Sequence, residues 1–257
     1  MTSPPPSSGG ISNECATRPP RGGLPLPDDT TSVVAAFDFD GTLTRSGSVF
    51  KFLVALKGLL PVAGVTATML PRLAKAAVLG GVAADETKEA LFKRLLVGVP
   101  VDEVERRSRT FARKHLEKHL RPAVVERMRW HQEHGHSVVI VSASPECYVK
   151  VAGSILGADA VIATRLAVGG GGMLTGGYEG KNCRGSEKYV RVTGWIRASE
   201  LADARGTHPI LWAYGNSRGD RRLLSAADVG VNAGRLGRFG SLRHFTRLST
   251  LDGASGR

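Results

Sequence analysis

The strongest constraint on the fold is a short apolar segment, residues 33–37, that runs directly into two carboxylates, Asp38 and Asp40. Such a run is typical of a strand buried on both faces of a parallel sheet. Isolated buried carboxylates are costly, and ligands of open α/β sheets bind beyond the carboxyl ends of the strands. A strand over residues 32–40 with a functional site at its end is therefore predicted, although a solvated Asp-Gly turn would give a similar pattern.

Four further apolar segments predict additional strands, at residues 137–144, 160–168, 210–214 and 226–232. Amphipathic segments of helical period lie between them, so the chain is expected to be an α/β protein with a parallel sheet flanked by helices. Glycines 169–172 are expected to form the tip of a hairpin that returns through residues 173–175.

The charge of the chain raises the question of an anionic partner. The sequence has 257 residues and a formal net charge of +12, a balance that is also found in proteins that bind nucleic acid or anionic lipid. No run of lysine and arginine interleaved with aromatic residues marks a binding stripe. We therefore favour solvated basic residues, and nucleic acid is not an expected partner.

The cysteines indicate the redox environment. The three residues Cys15, Cys147 and Cys183 are far apart and form no Cys-x-x-Cys pair. This spacing argues against a disulfide framework and against a thiolate metal site. A reducing, cytoplasmic location is the simplest interpretation.

Both ends of the chain have the composition of loose segments. Residues 1–31 are rich in proline, serine and glycine, and such segments cannot bury enough apolar surface to offset chain entropy. They also lack the apolar core of a secretory signal, so a disordered leader is expected. Residues 234–257 are basic and glycine-rich and are expected to form a tail.

Residues 49–79 form the longest weakly charged stretch of the chain. A membrane-spanning helix needs roughly 20 consecutive apolar residues, and Lys57, Pro61 and Arg72 interrupt this stretch. No transmembrane segment is therefore expected. Two interpretations remain: helices of a subdomain that face its core, which we favour, or an apolar surface in peripheral contact with a membrane.

Polar residues also follow the other predicted strands. Ser142 ends the segment at 137–144, and Asn216 and Asp220 follow the segment at 210–214. Lys188 lies in the first turn of a helix that is predicted to begin at residue 186. Each feature alone has an ordinary explanation as a cap, a turn or a surface residue, but together they place complementary chemistry at one edge of the sheet.

The order of these residues resembles motifs I to IV of the haloacid dehalogenase (HAD) superfamily over residues 33–232. Motif I corresponds to Asp-x-Asp-x-Thr at residues 38–42. The patterns Gly-x-x-Cys-x-Gly-x-x-Lys at 180–188 and Gly-x-Ser-x-x-Asp at 215–220 resemble the phosphoserine-phosphatase-like branch, subfamily IB. The resemblance implies a Rossmann-like core formed by residues 32–45 and 131–233, with a helical C1-type cap, residues 46–130, inserted after the first strand.

The resemblance also implies an activity, hydrolysis of a phosphomonoester through an aspartyl phosphate. Asp38 would be the nucleophile and Asp40 the general acid and base, while Ser142 would bind the phosphoryl group and Lys188 would balance charge. Mg²⁺ would be the cofactor. The implied metal ligands are Asp38, the backbone carbonyl of Asp40, Asn216 and Asp220, and the implied substrate contacts are Thr42, Ser142, Ala143, Lys188 and Asn216.

Two departures from the family pattern affect the expected activity. Asn216 stands where the family usually has aspartate, so weaker metal binding is expected rather than a dead site. Residues 45–48 stand where phosphoserine phosphatases carry a glutamate that binds the substrate amino group, so a small or lipid-linked phosphomonoester is expected instead of phosphoserine. The alternatives are a phosphotransferase of the same fold, or a catalytically weakened basic protein that binds anionic lipid or nucleic acid.

Overall fold

A computed structural model of the protein describes residues 32–199, 201, 208–234 and 241–252. The leader expected at residues 1–31 lies outside these described residues, as do residues 235–240 and 253–257 of the tail expected at 234–257.

Eight strands form two sheets. They are β1 (Val33–Phe37), β2 (Ser137–Pro145), β3 (Ala160–Thr164), β4 (Leu166–Val168), β5 (Leu174–Tyr178), β6 (Ile210–Gly215), β7 (Val229–Asn232) and β8 (Thr246–Arg247). Six of them make one sheet of order β3-β2-β1-β6-β7-β8 in which every neighbouring pair is parallel, and β4 and β5 make an antiparallel pair. The predicted α/β class with a parallel sheet is confirmed.

The first strand is buried on both sides, as its composition predicts. All five of its residues are buried. Val33, Ala35 and Phe37 belong to the apolar core on one face of the sheet, whereas Val34 and Ala36 belong to the core on the other face. This division follows from the alternation of side chains along a strand. The charges that follow β1 therefore lie at the edge of a doubly covered sheet.

Ten α-helices surround or extend the two sheets in the described residues. They are α1 (Val49–Lys57), α2 (Leu59–Thr68), α3 (Leu70–Leu79), α4 (Gly81–Leu96), α5 (Val101–His119), α6 (Pro122–Glu133), α7 (Glu146–Leu156), α8 (Ser186–Ala198), α9 (Arg221–Ala226) and α10 (Leu248–Asp252). The first six lie between β1 and β2. Because α6 packs against both of these strands, it belongs to the sheet layer, and the cap boundary expected at residue 130 falls inside this helix.

The strand predicted over residues 160–168 is two strands. β3 joins the parallel sheet beside β2, and β4 turns away to pair with β5. Arg165 lies at the break, where its guanidinium contacts the carboxylates of Glu146 and Glu179. The hairpin that we expected through glycines 169–172 is present, with β5 as its second strand.

Among the described residues, no single helix is long and apolar enough to cross a membrane. Helices α2 and α3 meet the length and composition criteria only when they are taken together, and a bend of 73° separates them.

Candidate active site

The residues predicted to act together lie around one small cavity at the carboxyl edge of the sheet. Its volume is about 120 Å³. Asp38 and Asp40 follow β1, Ser142 lies near the end of β2, Lys188 lies in the first turn of α8, and Asp220 precedes α9. The lining residues are Asp38, Asp40, Ser142, Ala143, Ser144, Arg184, Lys188, Ser217, Gly219 and Asp220. The remaining two predicted residues, Thr42 and Asn216, are hydrogen-bonded neighbours at its side.

A buried lysine bridges two carboxylates in this cavity. Lys188 Nζ donates to Asp38 Oδ1 at 2.5 Å and to Asp220 Oδ1 at 2.6 Å, and the lysine side chain is only 2% exposed. Burial alone would lower the pKa of Lys188, but the charges of Asp220 and Asp38 raise it above its usual value. Burial, reinforced by the nearby Asp220 charge, raises the pKa of Asp38 to about 7. The lysine is thus fixed as a cation beside the first aspartate.

Asp220 is held on both sides of its carboxylate. Oδ1 accepts from Lys188, while Oδ2 accepts from the backbone N–H groups of Asn216 and Ser217 at 3.1 and 3.0 Å and from Ser217 Oγ at 2.9 Å. Gly215 permits this arrangement, since a Cβ at that position would collide with the side chain of Asp220. Both oxygens of Asp220 are therefore engaged in positioning neighbouring groups.

The side chain of Asn216 lies against Asp38 and the backbone of Asp40. One end of its amide lies 3.1 Å from Asp38 Oδ2 and 3.2 Å from the Asp40 carbonyl oxygen. With the amide oxygen, Oδ1, at this position, the hydroxyl of Thr42 donates a hydrogen bond to it at 3.3 Å. With the amide nitrogen at this position, the nitrogen donates to Asp38 Oδ2, the Asp40 carbonyl and Thr42 Oγ1. With the amide oxygen there, the oxygens of Asn216, the Asp38 carboxylate and the Asp40 carbonyl face one another, which is unfavourable unless a cation lies between them.

The spacing of these oxygens fits a small hard cation. Ligands at 2.0–2.1 Å in an octahedral Mg²⁺ shell are about 3 Å from their neighbours, close to the separations around Asn216. All three donors, a carboxylate, a backbone carbonyl and an amide, are oxygen ligands of the kind that Mg²⁺ prefers. In the described part of the chain, no group of three or more His, Cys, Asp or Glu side chains could hold a metal. A metal site here therefore depends on the Asn216 amide and the Asp40 backbone carbonyl.

The loop after β1 has a conformation that only glycine adopts readily. Gly41 has φ +85°, and a Cβ there would collide with the Asn216 amide. Arg121 fixes the same loop by donating to the Gly41 carbonyl at 2.7 Å. The close approach of Asn216 to the first motif thus depends on this glycine.

Asp40 is surrounded by hydroxyl groups. Its Oδ2 accepts from Ser48 Oγ at 2.8 Å and from Ser144 Oγ, and Ser48 is also hydrogen-bonded to the hydroxyl of Tyr148 at 2.7 Å. Its Oδ1 is buried and has no hydrogen-bond partner among the described residues. Burial raises the pKa of Asp40, while the bonds from Ser144 and Ser48 oppose that rise. A carboxyl group of raised pKa with one free oxygen is suited to proton transfer.

Helix α4 contributes a second set of polar contacts at the edge of the cavity. Lys88 of α4 donates to the Ala143 carbonyl at 2.7 Å and to Asn182 Oδ1 at 2.7 Å, and burial lowers the pKa of Lys88 to about 8. Asp85 of the same helix accepts from Asn182 at 2.7 Å and pairs with Arg184 at 3.2 Å. These hydrogen bonds and the ion pair hold helix α4 beside the site.

Sequence reasoning missed several of these residues. Ser48 lies within the segment 45–48 that replaces the family glutamate, so its position could have been noticed. Arg184 is an unspecified position of the motif at 180–188, and Tyr148 has the appearance of a core aromatic residue. Lys88 gives no signal, because a lysine on an amphipathic helix is usually exposed.

Comparison with known proteins identifies the family. The model of the haloacid dehalogenase-like hydrolases matches residues 35–225. The chain therefore belongs to the haloacid dehalogenase-like hydrolase family, and the resemblance predicted from the motifs is confirmed.

Individual relatives agree with this assignment. Protein CicA of Caulobacter vibrioides is 36% identical over 196 residues, which cover 76% of this chain and 83% of that protein. A protein of unknown function from Bordetella pertussis Tohama I has a similar structure, with a TM-score of 0.69 and 22% identity over 85% of this chain and 98% of that chain. A substrate-bound phosphoserine phosphatase matches with a TM-score of 0.54 and 20% identity, covering 78% and 85%. The fold is thus phosphoserine-phosphatase-like.

Proposed function

We propose that the protein is a Mg²⁺-dependent phosphomonoester hydrolase that forms an aspartyl phosphate on Asp38. One observation carries the proposal: the Asp38 carboxylate lies 2.5 Å from the Lys188 ammonium in a small cavity that Asp40 also lines. Phosphoryl transfer requires a nucleophile, a source of positive charge and a group that moves a proton. Those three requirements are met by three neighbouring side chains.

The chemistry assigned to these residues has two steps. Asp38 attacks phosphorus, so that a bond forms between its carboxylate oxygen and phosphorus while the ester bond breaks, and Asp40 gives its proton to the leaving oxygen. Water then attacks the aspartyl phosphate, Asp40 takes a proton from that water, and inorganic phosphate leaves. The raised pKa of Asp40 favours its protonated form at the start of the cycle.

Two side chains that line the cavity are available to the phosphoryl oxygens. Ser142 Oγ accepts a hydrogen bond from the Ser144 backbone N–H at 3.0 Å, which leaves the Ser142 hydroxyl hydrogen able to donate. Lys188 supplies a fixed positive charge. Thr42 is buried behind the cavity, where its hydroxyl is bonded to Asn216. We assign Asp220 to positioning Lys188 and the backbone of Asn216, since both of its oxygens are already engaged.

The residues that would hold Mg²⁺ are Asp38 through Oδ2, Asp40 through its carbonyl oxygen and Asn216 through Oδ1. The ion, when bound, would neutralise charge on the transferring phosphoryl group. Asn216 is neutral where the family usually has a carboxylate, so we expect weaker metal binding than an aspartate would give.

The surroundings of the site bear on the substrate. With α4 hydrogen-bonded beside it, the cavity of about 120 Å³ has room for a phosphoryl group and little more. Ser48 rather than a carboxylate lies near Asp40, so a substrate ammonium group has no anionic partner at that position. We therefore propose a small or lipid-linked phosphomonoester other than phosphoserine. The unpaired thiols of Cys147 and Cys183 fit a reducing location such as the cytoplasm.

Release of phosphate from a generic aryl phosphate, with and without Mg²⁺, tests the proposal. We expect turnover in the wild type only with Mg²⁺, and a loss of about a thousandfold or more in Asp38→Asn, because the neutral amide cannot attack phosphorus. Asp102→Asn, which removes an exposed carboxylate on α5, is the matched control and should be unaffected. Retained activity in Asp38→Asn would overturn the assignment, as would activity in the wild type without any divalent ion.

The same assay distinguishes the phosphotransferase alternative. Addition of glycerol should not divert the phosphoryl group if water is the natural acceptor. A rise in glycerol phosphate at the expense of inorganic phosphate would instead favour transfer to an alcohol.

A further inference from the structure

Helices α2 and α3 are mostly exposed although most of their residues are apolar, and Val65 and Leu73 are partly buried against the core. Only Val62 in α2 and Ala76 in α3 are buried, together with Met69 between the helices. Leu60 and Val78 are each 84% exposed. The large apolar side chains left exposed from the start of α2 to the start of α4 form what we call the apolar cap surface: Leu59, Leu60, Leu70, Val78, Leu79 and Val82.

This concentration of exposed apolar residues is specific to the cap. Other exposed large apolar side chains, such as Ile155 on α7, Val168 on β4 and Val190 on α8, are scattered over separate elements. Single exposed apolar residues need no explanation, whereas contiguous apolar patches mark sites of contact with a protein or a membrane.

The charges of the segment that carries α2 and α3 all have one sign, and the acidic residues Asp85 and Glu86 follow only in α4. Residues 41–84 contain no aspartate or glutamate, and their charged residues are Arg45, Lys51, Lys57, Arg72 and Lys75. Lys57, Arg72 and Lys75 are exposed at the ends of or beside the apolar side chains. A partner of complementary chemistry is therefore both apolar and negatively charged.

The sequence of α3 has the periodicity of a helix that lies in a membrane interface. Leu70, Ala74 and Val78 are spaced four residues apart and are all exposed, so they share one outward face. Lys75 borders that face beside Val78, and Arg72 lies further round the helix on the same side. Helix α2 carries no charged residue at all. An apolar face bordered by cations is typical of interfacial helices that bind anionic lipid without spanning the bilayer.

We propose that the apolar cap surface docks on the surface of an anionic lipid bilayer, with α2 and α3 lying in the interface. A second copy of this chain fits less well, because an isologous contact through the surface would bring Arg72 and Lys75 of the two copies close together. The inference stands on exposure and charge alone and does not depend on the activity proposed above.

Flotation of the full chain with lipid vesicles tests this inference. The wild type should float with vesicles of phosphatidylcholine and phosphatidylglycerol, less well with phosphatidylcholine alone, and less well in high salt. Leu60→Ser/Val78→Ser should lower the fraction bound by about tenfold, and Arg72→Gln/Lys75→Gln should remove the preference for anionic vesicles. Ile155→Ser/Val190→Ser, which changes equally exposed residues outside the surface, should float as the wild type does.

Three outcomes would overturn the inference. One is the absence of flotation at low salt, and another is flotation of Leu60→Ser/Val78→Ser at the wild-type level. The third is a wild-type dimer in sedimentation velocity that this variant converts to a monomer, which would show that a second copy covers the surface. Asp38→Asn should float normally, so that a failure of the proposed activity leaves this test unaffected.

Discussion

Lys188 and Asp38 form a buried ion pair with an Nζ–Oδ1 distance of 2.5 Å, although 150 positions separate them in the chain. The packing of α8 explains the contact: α8 lies against β2 and β3, and β2 is the neighbour of β1, so the first turn of α8 can reach the carboxyl end of β1. The lysine also binds Asp220 at 2.6 Å. One cation therefore compensates two buried carboxylates.

Removal of this cation should reduce both stability and activity. In Lys188→Met, Asp38 and Asp220 would remain buried without their charge partner, a change that typically costs about 3–5 kcal/mol. Urea unfolding should report that loss, and phosphate release should fall by at least about a hundredfold because the phosphoryl charge is no longer balanced.

A double variant separates the two effects. Lys188→Met/Asp220→Asn removes one of the two uncompensated carboxylates, so part of the lost free energy of unfolding should return while activity stays low. Equal recovery of stability and activity in this variant would show that Lys188 has only a structural role.

The neutral side chain at position 216 should limit metal affinity. Asn216→Asp adds a carboxylate about 3.1 Å from Asp38 Oδ2, so the Mg²⁺ concentration at half-maximal activity should fall by about tenfold or more. Without Mg²⁺ the extra negative charge should lower the melting temperature. An unchanged magnesium dependence would show that the charge at this position does not control metal binding.

The hydroxyl groups around Asp40 should tune its proton affinity. The hydrogen bond from Ser144 opposes the rise in the pKa of Asp40 that burial causes, so Ser144→Ala should raise that pKa further. Asp40 must be ionised to take a proton from water, and the acidic limb of the kcat profile should therefore move to higher pH. Ser154→Ala, at an exposed serine of α7, should leave the profile unchanged. A shift of the limb to lower pH in Ser144→Ala would contradict this role.

Acid should destabilise the fold through His131. Burial, with smaller effects of His136 and Arg127, lowers the pKa of His131 to about 3, and its ring is hydrogen-bonded to the Tyr214 hydroxyl at 2.8 Å. The unfolded state binds a proton near pH 6.5 and the folded state does not, so stability is complete above that pH and falls as the pH drops towards 3.

This residue alone should remove about 2 kcal/mol of unfolding free energy between pH 7 and pH 5. Urea unfolding at several pH values measures the slope. It should become shallower in His131→Gln and stay unchanged in His208→Gln, which replaces an exposed histidine. Equal slopes in the wild type and His131→Gln would contradict the assignment.

The sequence predicts those parts of the site that lie at strand and helix ends. The apolar run before Asp38 indicates a doubly buried strand, and the first turn of α8 gives the position of Lys188, because both are local patterns of period and burial. The surroundings of Asp40 are different. Ser48 and Tyr148 are 100 positions apart in the chain and meet only because α1 and α7 pack on the same core, and no local pattern encodes that contact.

The division of residues 160–168 has a similar origin. The segment is apolar on both sides of Arg165, so its composition does not distinguish one strand from two. At the break, Arg165 contacts Glu146 and Glu179, and β4 leaves the sheet to pair with β5. These are tertiary interactions that local composition does not encode.

The most direct test of the central claim is the location of the phosphoryl group during turnover. Asp40→Asn should still accept the group from an activated aryl phosphate in the presence of Mg²⁺ but should hydrolyse the intermediate slowly. Acid quenching, digestion and mass spectrometry would then locate the modification. We predict that the peptide containing Asp38 carries the mass of one phosphoryl group and loses it on treatment with hydroxylamine. Phosphorylation of another residue, or turnover with Asp38 unmodified throughout, would contradict the account.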